Sequence, residues 1–143
     1  MKKLIFVLPG EFTPEKGLTG KGKVQVERLL QELNRGSLLG HTVKILCSPQ
    51  QEAVETAQIL SDGLGVGYEP DSMLWHNERI FNPRDSVKMI QLKIKQHGHS
   101  IGIIIADENY CDVLPEVIYR KLKQKKLLSQ HSLHPADYLE IEF

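Results

Sequence analysis

The sequence predicts an α/β fold, a three-layer α/β/α sandwich built around a mostly parallel sheet. Three observations predict it. Short, nearly unbroken apolar runs recur at residues 2–8, 43–47 and 101–106, as strands buried on both faces require. The longer segments between them place their apolar residues at helical spacing. The resulting order, strand and helix in alternation to the end of the chain, favours parallel pairing with helices on both faces.

Each element has its own grounds. Lys2 to Leu8 (KKLIFVL) is the first strand, ended by Pro9-Gly10, which cannot continue a ladder. A polar loop with Pro14 and Gly17 follows. Thr19 is the expected N-cap of a helix over about 20–34, with Val26, Leu29, Leu30 and Leu33 on its buried stripe and Gly36 as its stop. Val43 to Cys47 (VKILC) is a second buried strand. Ser48 is then expected to cap a helix with Pro49 in its first position, Ala53, Thr56, Ala57, Leu60 and Leu64 on the packed face, and Gly63 and Gly65 at its end. A short strand is expected near 66–69, then an irregular loop through Trp75 and His76. Asn82-Pro83 opens a helix over about 84–96, striped by Val87, Ile90 and Ile94 and closed by Gly98. Ile101 to Ala106 (IGIIIA) is the most hydrophobic strand and the expected centre of the sheet. A last helix is expected over about 112–125 with Pro115 in its first turn, and Tyr138 to Phe143 alternates as an edge strand.

The chain has 143 residues, which suits a single domain over 1–143. It balances 18 basic against 18 acidic side chains. With no global field, neither nucleic acid nor a membrane is expected as a partner. The apolar run Leu4 to Leu8 is too short to span a bilayer, and Pro9-Gly10 follows it in place of a cleavage site. The expected location is therefore the cytoplasm. Two cysteines, Cys47 and Cys111, make neither a metal cage nor a disulfide framework.

In a sheet of this kind ligands sit beyond the carboxyl ends of the strands. Three segments reach that edge: Leu8 to Glu11, Cys47 to Glu52, and Ala106 to Asn109. In this order they resemble the histidine phosphatase superfamily, the phosphoglycerate mutase-like proteins. The resemblance rests on Leu18-Thr19 with Gly22 and on Cys47-Ser48-Pro49, Ala53 and Thr56-Ala57 (CSPQQEAVETAQIL). The second block is similar to the family's Ser-Pro-x-x-Arg-Ala-x-x-Thr-Ala pattern. The length suits the short, phosphohistidine phosphatase-like branch.

The resemblance implies a phosphate site made of an Arg-His-Gly signature after the first strand, an arginine in the Ser-Pro motif, and a second histidine ending the central strand. The first histidine is the family's nucleophile, held in a cationic pocket. This chain departs at all four positions: Leu8 and Pro9 stand for Arg-His, Glu52 for the second arginine, and Asp107 for the second histidine. Proline has no nucleophilic side chain. At about 4 Å, like charges repel by roughly 4 kcal/mol at an effective dielectric of about 20. The expectation is a pseudoenzyme: no catalytic residue, no cofactor, no metal, and a binding or scaffolding role for the old pocket. The alternative is an active phosphohydrolase with relocated catalytic residues, and a third reading is a plain α/β domain with an accidental likeness.

Gly10, Glu11, Ser48, His76, Glu78 and Glu108 are the expected pocket-lining residues. His76 and Glu78 fall in the loop where many family members carry a proton-donating glutamate. The partner is an unknown protein or a small cationic ligand. Carboxylates that converge suit a hard ion such as Mg²⁺ or Ca²⁺, or the ammonium group of a partner's lysine. Each feature also has an ordinary reading. Glu52 in a first helical turn complements the dipole, Asp107 caps a helix, and Cys47 is a small core residue. Trp75 plugs a loop or anchors a partner. The run Arg120 to Lys126 is a solvated helix end or a contact for an acidic partner.

Overall fold

Five strands order themselves as β5-β4-β6-β1-β7 in the central sheet of the computed structural model. It describes residues 2–36, 38, 40–75, 82–95, 97–122 and 134–143. The strands are β1 (Lys3–Val7), β4 (Val43–Cys47), β5 (Tyr68–Pro70), β6 (Ile101–Ile105) and β7 (Tyr138–Glu142). The first four run parallel, and β7 pairs antiparallel with β1 as the edge. β6 lies at the centre, as its composition predicts. All five of its residues are buried.

The alternation of side chains across β1 builds two cores. Leu4, Phe6 and Leu8 face α3 (Pro83–Lys95) and α4 (Glu108–Leu122), where they meet Ile90, Ile94, Leu114 and Ile118. Ile5 and Val7 face α1 (Gly20–Gly36) and α2 (Gln51–Leu64), where they meet Val26, Leu33, Ala57 and Leu60. The molecule is thus three layers deep, with two helices on each face. No helix among the described residues is long and apolar enough to cross a membrane.

The helix ends explain where elements start. The Thr19 hydroxyl accepts the Gly22 N–H at 3.0 Å and caps α1. Asn82 and Asp85 exchange bonds at the start of α3, Asp85 N–H to Asn82 Oδ1 at 3.3 Å and Asn82 Nδ2 to Asp85 Oδ2 at 2.7 Å. Gly65 takes φ 68° and closes α2.

Four details depart from the sequence reading. The loop after β1 holds a small hairpin, β2 (Phe12–Thr13) with β3 (Gly17–Leu18). Ser48 does not cap α2 and Pro49 is not its first residue; Gln50 is the N-cap, without a side-chain bond, because the Ser48 N–H continues the sheet to Ile105 O at 2.9 Å. β5 lies two residues later than expected and is followed by a 3-10 turn at Ser72–Leu74. α4 begins at Glu108, so Pro115 stands inside the helix and not in its first turn, and removes one backbone bond there.

Candidate functional site

The carboxyl ends of the strands form one line, drawn by backbone bonds that run past the strands themselves. Asp71 N–H donates to Cys47 O at 2.8 Å, Ser48 to Ile105 at 2.9 Å, Ala106 to Val7 at 3.3 Å, and Leu8 to Asp137 O at 3.1 Å. The connections after β5, β4, β6 and β1 therefore emerge side by side, about 5 Å apart at the spacing of neighbouring strands.

The turn after β1 is packed in by backbone. Pro9 is buried, and its carbonyl accepts the Ala136 N–H at 3.0 Å. Gly10 donates its N–H to Thr56 Oγ1 at 3.3 Å, and the Thr56 hydroxyl donates to Glu52 O at 2.7 Å. A Cβ on Gly10 would meet Gly22 O at 2.6 Å and Val26 Cγ2 at 2.9 Å, and one on Gly22 would strike the Glu11 carbonyl. Two glycines thus let the tip of β1 lie directly on the first turn of α1. Glu11 is held there: its N–H donates to Gln25 Oε1 at 2.9 Å and its carboxylate lies 3.6 Å from Lys21 Nζ.

The sequence-predicted residues divide by environment. Leu8 belongs to the core between the sheet and α3 and α4. Gly10 and Ser48 are buried, with the Ser48 hydroxyl engaged locally by Gln50. Glu52 is half-buried in the first turn of α2. Asp107 is the N-cap of α4, its Oδ1 accepting the Tyr110 N–H at 3.0 Å, with exposed Glu108 beside it. His76 and Glu78 lie outside the described residues. Trp75 is exposed.

The described residues contain no group of three or more His, Cys, Asp or Glu arranged to hold a metal. Glu11 pairs with Lys21, and Asp107 accepts the Tyr110 N–H of its own helix. Cys47 is buried, and desolvation pushes its thiol up to about 12, which disfavours the thiolate. Cys111 is likewise buried and raised.

The sequence reading missed two supports of this edge. Ala136 clamps Pro9, and it holds φ 60° in a turn closed by His134 N–H to Asp137 Oδ2 at 2.8 Å. Glu55 fastens the hairpin to α2 by accepting the Leu18 N–H at 3.0 Å. Thr56 carried a signal in the Thr-Ala pair, but as scaffold only. A cavity of about 400 Å³ opens elsewhere, on the outer side of α3 between Lys88, Gln91, Leu92 and Lys95.

No family model and no curated protein matches the chain by sequence. Solved structures do match it. The protein histidine phosphatase SixA complexed with tungstate superposes with a TM-score of 0.73 over 96% of this chain and 86% of its own, at 13% identity. The chain has the histidine phosphatase fold.

Two further structures with this fold agree. A mycobacterial glucosyl-3-phosphoglycerate phosphatase complexed with VO3 gives a TM-score of 0.71 at 12% identity, covering 98% of this chain and 90% of that one. The Bacillus stearothermophilus protein YhfR gives 0.66 at 16% identity, covering 99% and 91%. Superposition over nearly the whole chain removes the reading of an accidental likeness, at the level of the fold.

Proposed function

We propose that the chain is a catalytically inert histidine phosphatase-like protein, a binding or scaffolding module that uses the edge where its relatives in fold would carry a phosphate site. One observation carries this reading: the residue at the tip of β1, where the resemblance puts the nucleophile, is Pro9. Its ring offers no lone pair for a phosphoryl group. Its backbone is fixed by Ala136 on one side and, through Gly10, by Thr56 on the other.

The surroundings support the same reading. Leu8 contributes apolar bulk to the core in place of a guanidinium. Glu52 and Asp107 bring negative charge to the turns where a phosphate would need cations. Asp107 also accepts the Tyr110 N–H and sets a negative charge at the N-terminus of α4, which disfavours an anion there.

The test is direct. Purified protein assayed with para-nitrophenyl phosphate and with phosphohistidine substrates over a range of pH is expected to show no turnover above background. Turnover that follows the protein through purification and is abolished by His76→Ala or Cys47→Ala would establish relocated catalysis and end this proposal.

A further inference from the structure

Met73 and Trp75 are 37% and 45% exposed, while Leu74 between them is fully buried. An exposed pair of large apolar side chains on a loose loop would need no explanation. The backbone that carries this pair is held in a bonded turn. Asp71 Oδ1 accepts the Met73 N–H at 2.9 Å, and the Leu74 and Trp75 N–H groups donate to Asp71 O and Ser72 O at 3.0 and 3.1 Å. The Ser86 hydroxyl donates to Met73 O at 2.6 Å, and Lys93 Nζ lies 2.9 Å from Asp71 Oδ2. Leu74 pins the turn to the core formed with α3 and α4. The turn thus presents both side chains from a fixed backbone, and a tryptophan shown in this way is the kind of residue that anchors an interface.

Charge decides what fits against them. Residues 8–18, 48–52, 71–75 and 106–109, all on connections leaving this edge, contain Glu11, Glu15, Glu52, Asp71, Asp107 and Glu108 against the single Lys16. Lys21 and Lys93 pair with Glu11 and Asp71. Glu52, Asp107 and Glu108 form no ion pair among the described residues. The turn bearing Trp75 is next to the connection carrying Glu52, and that one is next to Asp107–Glu108. At strand spacing these steps are about 5 and 10 Å. Carboxylates spread along a line in this way do not enclose a point cation. They match an extended chain with basic side chains at intervals.

We infer that the carboxyl edge of the sheet docks a protein segment that carries lysine or arginine beside an apolar residue, with Trp75 and Met73 as its apolar anchor. The apolar residue packs on Met73, a basic side chain lies across the indole face, and further basic groups follow the edge towards Glu52 and Asp107. This deepens the proposed binding role of the same edge and rests on it.

Trp75 is the only tryptophan in the chain, so its fluorescence reports this contact alone. The intact protein is titrated with a short peptide of alternating lysine and leucine, with its glutamate–leucine counterpart, and with a glycine–serine peptide. A saturable blue shift is expected with the first peptide only, and high salt should weaken that binding about tenfold. Met73→Ala read by fluorescence, and Trp75→Ala and Glu52→Gln/Asp107→Asn read by calorimetry, should each weaken it severalfold without unfolding, because all four side chains are exposed or half-buried. No shift with the basic peptide, or equal shifts with all three, overturns the inference. So does a shift that grows with protein concentration alone, which would mean that a second copy covers the face. Phosphate-ester turnover measured on the same preparation separates the two readings. Absence of both turnover and binding removes only the docking inference, turnover with binding removes only the inert reading, and turnover without binding removes both.

Discussion

Gly10 accepts no side chain because a helix backbone occupies the space. Gly22 O would lie 2.6 Å from any Cβ placed there. Gly10→Ala is therefore expected to destabilise the fold by about 1–3 kcal/mol through forced backbone movement. Thr56 is the second fixed point, because its hydroxyl is the partner of the buried Gly10 N–H. Thr56→Val keeps the shape and strands that N–H, at a cost of about 1–3 kcal/mol. Urea unfolding of each variant measures both; a loss below about 0.5 kcal/mol for either would mean that the tip of β1 yields easily. With Ala53 and Ala57 they are buried, and they stand where the sequence resembles the histidine phosphatase pattern, so each has a packing role of its own.

At the scale of elements, the outer strand β5 is tied to its neighbours by charge. Lys93 of α3 lies 2.5 Å from Glu69 Oε1 and 2.9 Å from Asp71 Oδ2, and Lys44 of β4 lies 3.5 Å from Glu69 Oε2. The hydrogen bond from Lys93 is the main cause that lowers the Glu69 carboxyl below its ordinary range, and the bond to Glu69 is the main cause that raises Lys93. A lowered carboxyl stabilises the fold above its unfolded value of 4.5 and loses that contribution as pH falls through the lower folded value. A raised amine stabilises the fold below its unfolded value of 10.5 and loses the contribution as pH rises through the higher folded value. The cluster therefore contributes fully from about pH 4.5 to about pH 10.5. The groups are partly exposed and screened by solvent, so Lys93→Met should lower stability by no more than about 1 kcal/mol at neutral pH. That difference should vanish in strong acid. Thermal unfolding of both proteins across pH checks it, and a deficit that persists in strong acid would assign the effect to packing of the lysine stem.

The whole molecule offers a test of the proposed inert reading. Restoring Leu8→Arg, Pro9→His, Glu52→Arg and Asp107→His together should create binding of millimolar vanadate, measured by equilibrium dialysis, while single reversions should not, because such sets act as a unit. The fourfold variant will be less stable than the parent. Arginine at residue 8 must leave a core now filled by Leu8, and histidine at residue 107 gives up the cap on α4, worth about 1 kcal/mol. If the variant folds but ignores vanadate, the turns at this edge have moved from the geometry a phosphate needs.

Most of the fold was legible because the signals that specify it are local. The apolar runs of β1, β4 and β6, the striped helices, and the caps at Thr19 and Asn82 all act within one turn or one strand. The line-up of those connections along one edge was legible too, since element order alone brings them together. Residue identity is likewise independent of structure: Pro9 carries no imidazole in any fold. What the sequence could not settle were matters of competition between distant groups. Ser48 could cap a helix or extend a sheet, and the parallel ladder to Ile105 won. The turn after β1 reads as loop, yet closes as a hairpin because Glu55, far along the chain, takes the Leu18 N–H. Whether the carboxylates converge was open in the sequence, and Lys21 and the start of α4 take up Glu11 and Asp107. Ala136 against Pro9, and Ser86 against the turn that carries Trp75, join residues remote in sequence, and only the packed chain brings such groups within bonding distance.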